Sequence, residues 1–137
     1  MLTIDYGFPC SQLYHSKRNS GTLCCYKNHE VNFSPYLNIG LQDITAHVNF
    51  SALDHWGKKF ALECSGFTTQ AHFLRSLGLM NYLRTLELEN PGKNNNGLIF
   101  QINQLLMDMG NKFKVLIQQK GIKNKYLTGM QFSQPLL

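Results

Sequence analysis

The sequence lacks most of the features that classify a chain at a glance. No run of about 18 apolar residues occurs, so no membrane-spanning helix is expected. No basic stretch followed by an apolar one stands at the N-terminus, which speaks against a secretory signal. Cysteine is scarce: Cys10, Cys24, Cys25 and Cys64 are the whole set. Neighbouring Cys24 and Cys25 point to opposite sides of any strand, so a disulfide framework is not expected, and reduced thiols in a cytoplasm are. Cys24, Cys25 and His29 match no zinc spacing, so no metal site is expected. There is no internal repeat, no phosphate-binding loop and no Gly-x-Gly following a strand; Gly7 and Gly110 stand alone.

Acid is missing from one end. Residues 1–108 balance eight Lys/Arg against eight Asp/Glu, whereas Lys112, Lys114, Lys120, Lys123 and Lys125 follow with no acid at all, giving the net charge of +5. A basic stretch can contact nucleic acid or an acidic partner. Without interleaved aromatics and arginines it also reads as a solvated strand edge and tail, its lysines guarding against aggregation.

What is present is an ordinary globular composition with 43% hydrophobic residues, enough for one domain with a core. Leu2-Thr3-Ile4-Asp5-Tyr6-Gly7 is the organising stretch: a short apolar strand, Leu2–Asp5, ending at a carboxylate, a phenol and a glycine. Open α/β sheets place ligand sites at such C-terminal strand ends. A buried strand needs neighbours on both edges, and here one begins at residue 2. The expectation is the later part of a longer enzyme fold.

After a loop over 7–20, Gly21–Tyr26 reads as a short strand and 27–42 as a long irregular loop. A helix capped by Asn49 or Ser51 is expected to bury Phe50, Leu53, Trp56 and Phe60. Phe60–Cys64 reads as a strand stopped by Ser65-Gly66, and Thr68 or Thr69 caps a second helix bent or ended at Gly78. Leu79–Glu89 continues as helix, Asn90-Pro91-Gly92 stops it, and 93–97 is a linker. Leu98–Met109 is an amphipathic core helix closed by Gly110. Phe113–Gln118 alternates as a strand, and the last fifteen residues show little pattern. Strand, helix, strand, helices, strand is an α/β rhythm.

Five blocks then match one family in order. They are Ile4–Gly7; Gly21-Thr22-Leu23 with Tyr26 and His29; Gly40 with Asp43–Phe50 and Ala52-Leu53; Thr69-Gln70 with Phe73-Leu74 and Leu77-Gly78; and Met109-Gly110 with Phe113–Leu116. Over about residues 2–118 the chain resembles the C-terminal part of the MidA-like S-adenosylmethionine-dependent methyltransferases. That family includes the mitochondrial complex I assembly arginine methyltransferase. The resemblance implies an α/β, class I (Rossmann-like) methyltransferase fold, represented by three contiguous strands plus a short extra strand and three to four helices. Leu2–Asp5 would be the fifth strand and Phe60–Cys64 the sixth, with Phe113–Gln118 inserted between them as an antiparallel seventh. Residues 1–118 would form this partial domain and 119–137 a tail.

The family's glycine-rich loop and ribose acid precede the fifth strand and match nothing here. S-adenosylmethionine is thus the implied cofactor of the complete enzyme, none is expected to bind this chain alone, and no residue is assigned to it. The implied partners are a protein substrate, for instance a respiratory-complex subunit, and a separately encoded N-terminal half. No membrane or nucleic-acid partner is favoured. The implied compartment is cytoplasmic, or the mitochondrial matrix in a eukaryote.

Methylating arginine requires carboxylates that fix the guanidinium fork and localise its charge. Asp5 is the candidate for that role, with Tyr6 stacking on or hydrogen-bonding to the planar group; Asp5 could equally cap a nearby loop. Asp43, Thr45 and His47 form a polar group before a helix, suited to a substrate lip or to satisfying backbone groups at the turn. Gln70 could hold a substrate carbonyl or complete a helix cap. The competing readings are a non-catalytic interaction module and a small basic nucleic-acid binder.

Overall fold

The computed structural model describes residues 1–89, 96–122 and 126–136. It contains strands β1 (Leu2–Phe8), β2 (Cys24–Lys27), β3 (Glu30–Asn32), β4 (Asp43–Thr45), β5 (Val48–Asn49), β6 (Glu63–Thr69) and β7 (Phe113–Gln119). Its helices are α1 (Cys10–Leu13), α2 (Phe50–Lys59), α3 (Gln70–Ser76), α4 (Leu79–Glu89) and α5 (Asn96–Gln104). The expected helix stop at 90–92, most of the linker after it, and Lys123 and Lys125 lie outside the described residues.

The main sheet has the order β5-β1-β7-β6. Strand β7 runs antiparallel to both neighbours, with Ile4 opposite Val115 on one side and Thr68 opposite Val115 on the other. The insertion of an antiparallel last strand between two parallel ones is the arrangement the resemblance implied. Strand β5 continues the sheet only past Gly7 and Phe8. Residues 2–6 of β1 therefore have β7 on one edge and no strand on the other among the described residues.

Helix α2 covers one face. Asn49 caps it by accepting the Ala52 N–H at 3.0 Å, and Phe50 packs on Phe67, ring centroids 5.1 Å apart. Phe50, Phe67, Leu116 and Leu136 form the buried cluster there, with Val48, Leu53 and Cys64 around it. The buried positions of α2 are Phe50, Asp54 and Gly57, not the stripe through Trp56 and Phe60, which are 56% and 70% exposed. The reason is close packing: a side chain on Gly57 would collide with the buried Gln118 amide, whose Nε2 donates to the Leu53 carbonyl at 3.2 Å. The indole of Trp56 instead carries the Lys59 ammonium, 4.0 Å from its ring.

The strand expected at 60–64 lies later. Phe60 closes α2, Ala61 turns the chain at φ 61°, and β6 runs on to Thr69 through a bulge at Ser65. Gly66 does not stop it; the missing side chain makes room for Met130. Residues 126–136 pack on the sheet as well. The Phe67 N–H donates to Ser133 Oγ at 3.0 Å, and the Gln134 N–H donates to the Phe67 carbonyl at 2.7 Å. Met130 and Leu136 are both buried. The tail thus crosses the β6 edge and reaches the core on both faces.

A second buried cluster, Ala71, Ile102 and Leu106 with Leu74, Leu79 and Leu83, joins α3, α4 and α5. Thr69 caps α3 through the His72 N–H at 3.2 Å, and Gly78 at φ 88° separates α3 from α4. The helix of Leu98–Met109 widens into a π turn over Leu105–Met109.

The stretch read as an irregular loop, 27–42, contains structure. Asn28 and His29 take φ 50° and 66°, the two left-handed residues of a tight hairpin turn joining β2 and β3. With β4 they make a separate sheet of order β3-β2-β4.

Candidate functional site

Strands β1 and β6 run parallel, so their C-terminal ends share one edge of the sheet. Asp5 lies opposite Lys114, and Lys114 opposite Thr69, which puts Asp5 and the start of α3 in one row. Strand β1 is longer than expected, so Asp5 and Tyr6 precede its end rather than form it.

The Asp5 carboxylate accepts the Tyr6 N–H at 2.7 Å and faces solvent. One oxygen serves its own backbone; the other is left for a ligand. Tyr6 is 45% exposed and rests on Phe113, centroids 4.1 Å apart and planes tilted by 36°. A backed phenol of this kind offers its free face to a planar cation.

His47 sits beside this strand, its ring 5.1 Å from that of Phe8. Its N–H donates to Thr22 Oγ1 at 3.1 Å, and its Nδ1 is buried without a partner among the described residues. Burial, and secondarily the Arg18 charge, holds the imidazole below the ordinary histidine pKa, with Asp5 pulling the other way. Asp5 and Arg18 thus act on the same ring.

Asp43 and Thr45 occupy β4, both exposed. Asp43 lies opposite Tyr26 and Thr45 opposite Cys24; the Thr45 hydroxyl and Cys24 thiol are 3.2 Å apart. Thr45 is therefore tied to its neighbouring strand. The Tyr26 phenol is held above its usual pKa, first by its hydrogen bond to the Cys24 side chain and in smaller part by Tyr6. Tyr26, which sequence reasoning did not single out, is thus paired with Asp43 across the sheet and feels Tyr6. Gln70 opens α3, but the cap itself is made by Thr69.

Neither isolated glycine forms a cofactor cradle. A side chain on Gly7 would meet the Val48 carbonyl and the Phe50 ring; one on Gly110 would meet Leu106 and Ala71. Both glycines are consumed by the chain's own packing, so these residues do not fit the methionine end of S-adenosylmethionine. Among the described residues no group of three or more His, Cys, Asp or Glu could hold a metal. No described helix is long and apolar enough to cross a membrane.

Residues 1–68 match a family model described as "Putative S-adenosyl-L-methionine-dependent methyltransferase". The chain is 37% identical over 114 residues to the protein arginine methyltransferase NDUFAF7 homolog, mitochondrial, of Caenorhabditis elegans, covering 82% of this chain and 25% of the relative. Among solved structures it is similar to an uncharacterized protein from Burkholderia thailandensis, with TM-score 0.87 and 34% identity over 96% of this chain and 35% of the other. A second match is a superfamily member and methyl transferase candidate from the same organism, bound to S-adenosyl-homocysteine. Here the TM-score is 0.86 and the identity 34%, over 96% of this chain and 34% of that one. The chain spans a quarter of its curated relative and about a third of these structures. With a model match over its first half, that identity, and a shared α/β architecture carrying an antiparallel strand between two parallel ones, the chain belongs to this family of S-adenosyl-L-methionine-dependent methyltransferases.

Proposed function

We propose that this chain supplies the substrate-side part of a protein-arginine N-methyltransferase, with the cofactor lobe supplied by another stretch of polypeptide. The observation that carries the reading is the exposed Asp5–Tyr6 pair at the sheet edge, in a fold whose solved counterpart was crystallised with S-adenosyl-homocysteine. Asp5 is an acceptor-only group that can fix a guanidinium fork, and Tyr6, pointing to the other side of β1, a surface for an adjoining part of the substrate. Asp43, His47 and Gln70 border the same edge as substrate contacts, while Thr45 contributes through β4.

The missing lobe is supported by exposure. Leu2, Ile4 and Tyr6 alternate on one face of β1 and are 54%, 45% and 45% exposed, and the strand edge beside them is open. An open, apolar edge strand invites another strand. By its relative's name, a mitochondrial compartment is the setting in a eukaryotic cell; a respiratory-complex subunit is the class of substrate that the family resemblance implies.

A second reading, a non-catalytic interaction module, draws on a different observation. Phe33, Tyr36, Leu37, Ile39 and Leu41 are each more than half exposed between β3 and β4, and apolar patches of this kind serve protein contacts.

The test is reconstitution. The chain is combined with a polypeptide carrying the glycine-rich part of the fold, and methyl transfer to protein arginine is read by mass spectrometry. The methyltransferase reading expects arginine methylation that needs both polypeptides. A stable complex with no transfer to any arginine supports the interaction module instead.

A further inference from the structure

We propose that the hollow around Arg18 is a carboxylate subsite that takes an acidic side chain of the protein substrate, three residues from the target arginine. This rests on the arginine-methyltransferase reading and adds a sequence preference to it.

The chain leaves β1 through α1 and a single 3-10 turn, Ser16–Arg18, and so folds Arg18 back over the strand. The guanidinium carbon lies 4.0 Å from the centre of the Phe8 ring, and Nε donates to the Gln12 carbonyl at 3.0 Å. Two contacts thus fix a side chain that would otherwise sample many rotamers. They use one face of the fork and one N–H, which leaves the two terminal nitrogens to bind a ligand.

The surroundings are donors. A hollow of about 430 Å³ is lined by His15, Ser16, Arg18, Asn19 and Thr22 among others, and an adjoining one of about 490 Å³ adds Lys17 and Gln12. No carboxylate lines either. His15 Nδ1 accepts the Lys17 N–H at 3.2 Å, so the ring hydrogen is on Nε2, a further donor. A fixed guanidinium, an ammonium and an imidazole N–H around one open hollow are a receptor for a carboxylate.

Its distance from Asp5 sets the spacing. Asp5 and Phe8 are three residues apart on one strand, roughly 10 Å at about 3.3 Å per residue. An extended peptide covers that span in three residues at about 3.4 Å each, and residues three apart on it point to opposite sides, as Asp5 and Phe8 do on β1. His47 lies between the two, its ring against Phe8 and its proton affinity lowered by Arg18 and raised by Asp5.

The test titrates the whole chain with short glycine-spaced peptides by calorimetry at low salt. One set carries glutamate two to four residues from a central arginine; a matched set carries glutamine. The expected result is at least about fivefold tighter binding of a glutamate peptide to the wild-type chain, at a spacing of three. In Arg18→Gln the ratio should fall below about twofold, and Arg18→Lys should restore part of it. Equal binding of both sets by the wild type, no measurable binding of either, or a ratio that survives in a folded Arg18→Gln chain would overturn the proposal. So would displacement of the glutamate peptide by S-adenosyl-homocysteine, which would give the hollow to the cofactor's carboxylate. Should Arg18→Gln not fold, the wild-type comparison still decides. Replacing the central arginine by citrulline separates the two claims: glutamate preference without arginine preference would sink the methyltransferase site and leave the subsite standing.

Discussion

Asp5, His47 and Arg18 show how much of the site's behaviour is set by single side chains. The His47 imidazole is held neutral mainly by burial, so the unfolded chain binds its proton more tightly than the folded one. Its contribution to stability is complete above the ordinary histidine value of 6.5 and is lost as the pH falls from there through the lower folded value. Urea midpoints should therefore drop between pH ~7 and pH ~5, and His47→Gln should flatten that drop. An unchanged slope in the variant would assign the pH dependence to other groups. Asp5 and Tyr6 stood out in the sequence as polar groups after a short apolar run, although the strand continues past them to Phe8. Tyr26 and Arg18 did not: one is positioned by a strand pairing and the other by a back-folded turn, and neither leaves a spacing that one can read along the chain.

At the scale of elements, periodicity identified the helix of α5 but misjudged α2 and β6, and β7 has no wetter face, with Leu116 and Gln118 buried as fully as Val115. Gly66 read as a stop, whereas it is a point of close approach to Met130, and the stripe through Trp56 left out Gly57, which packs on Gln118. The hairpin at Asn28–His29 was missed because its left-handed residues include no glycine. The tail had no period to read, since it crosses an edge instead of lying along one. Gly129 packs against the Phe73 ring, where a side chain would clash. Gly129→Ala should thus destabilise the fold by about 1 to 3 kcal/mol, and Leu136→Ala, which empties a buried position, by about 2 to 4 kcal/mol. Equilibrium urea unfolding measures both; values near zero would mean that the tail is not part of the cooperative core.

For the whole molecule the central claim is that this chain brings arginine to a methyl donor held by a second lobe. Order of strands and family were legible from the five sequence blocks; the edge of β1 left without a strand over residues 2–6, among the described residues, is read from its pairing. The most direct measurement is methyl transfer to arginine by the reconstituted two-part protein, with wild-type Asp5 and with Asp5→Asn, alongside the melting temperature of each. Asparagine keeps the shape and the acceptor for the Tyr6 N–H but removes the charge that orients a guanidinium. The account predicts a loss on the order of a hundredfold in turnover with the melting temperature nearly unchanged. Normal turnover per folded molecule in Asp5→Asn would contradict it and remove Asp5 from the site.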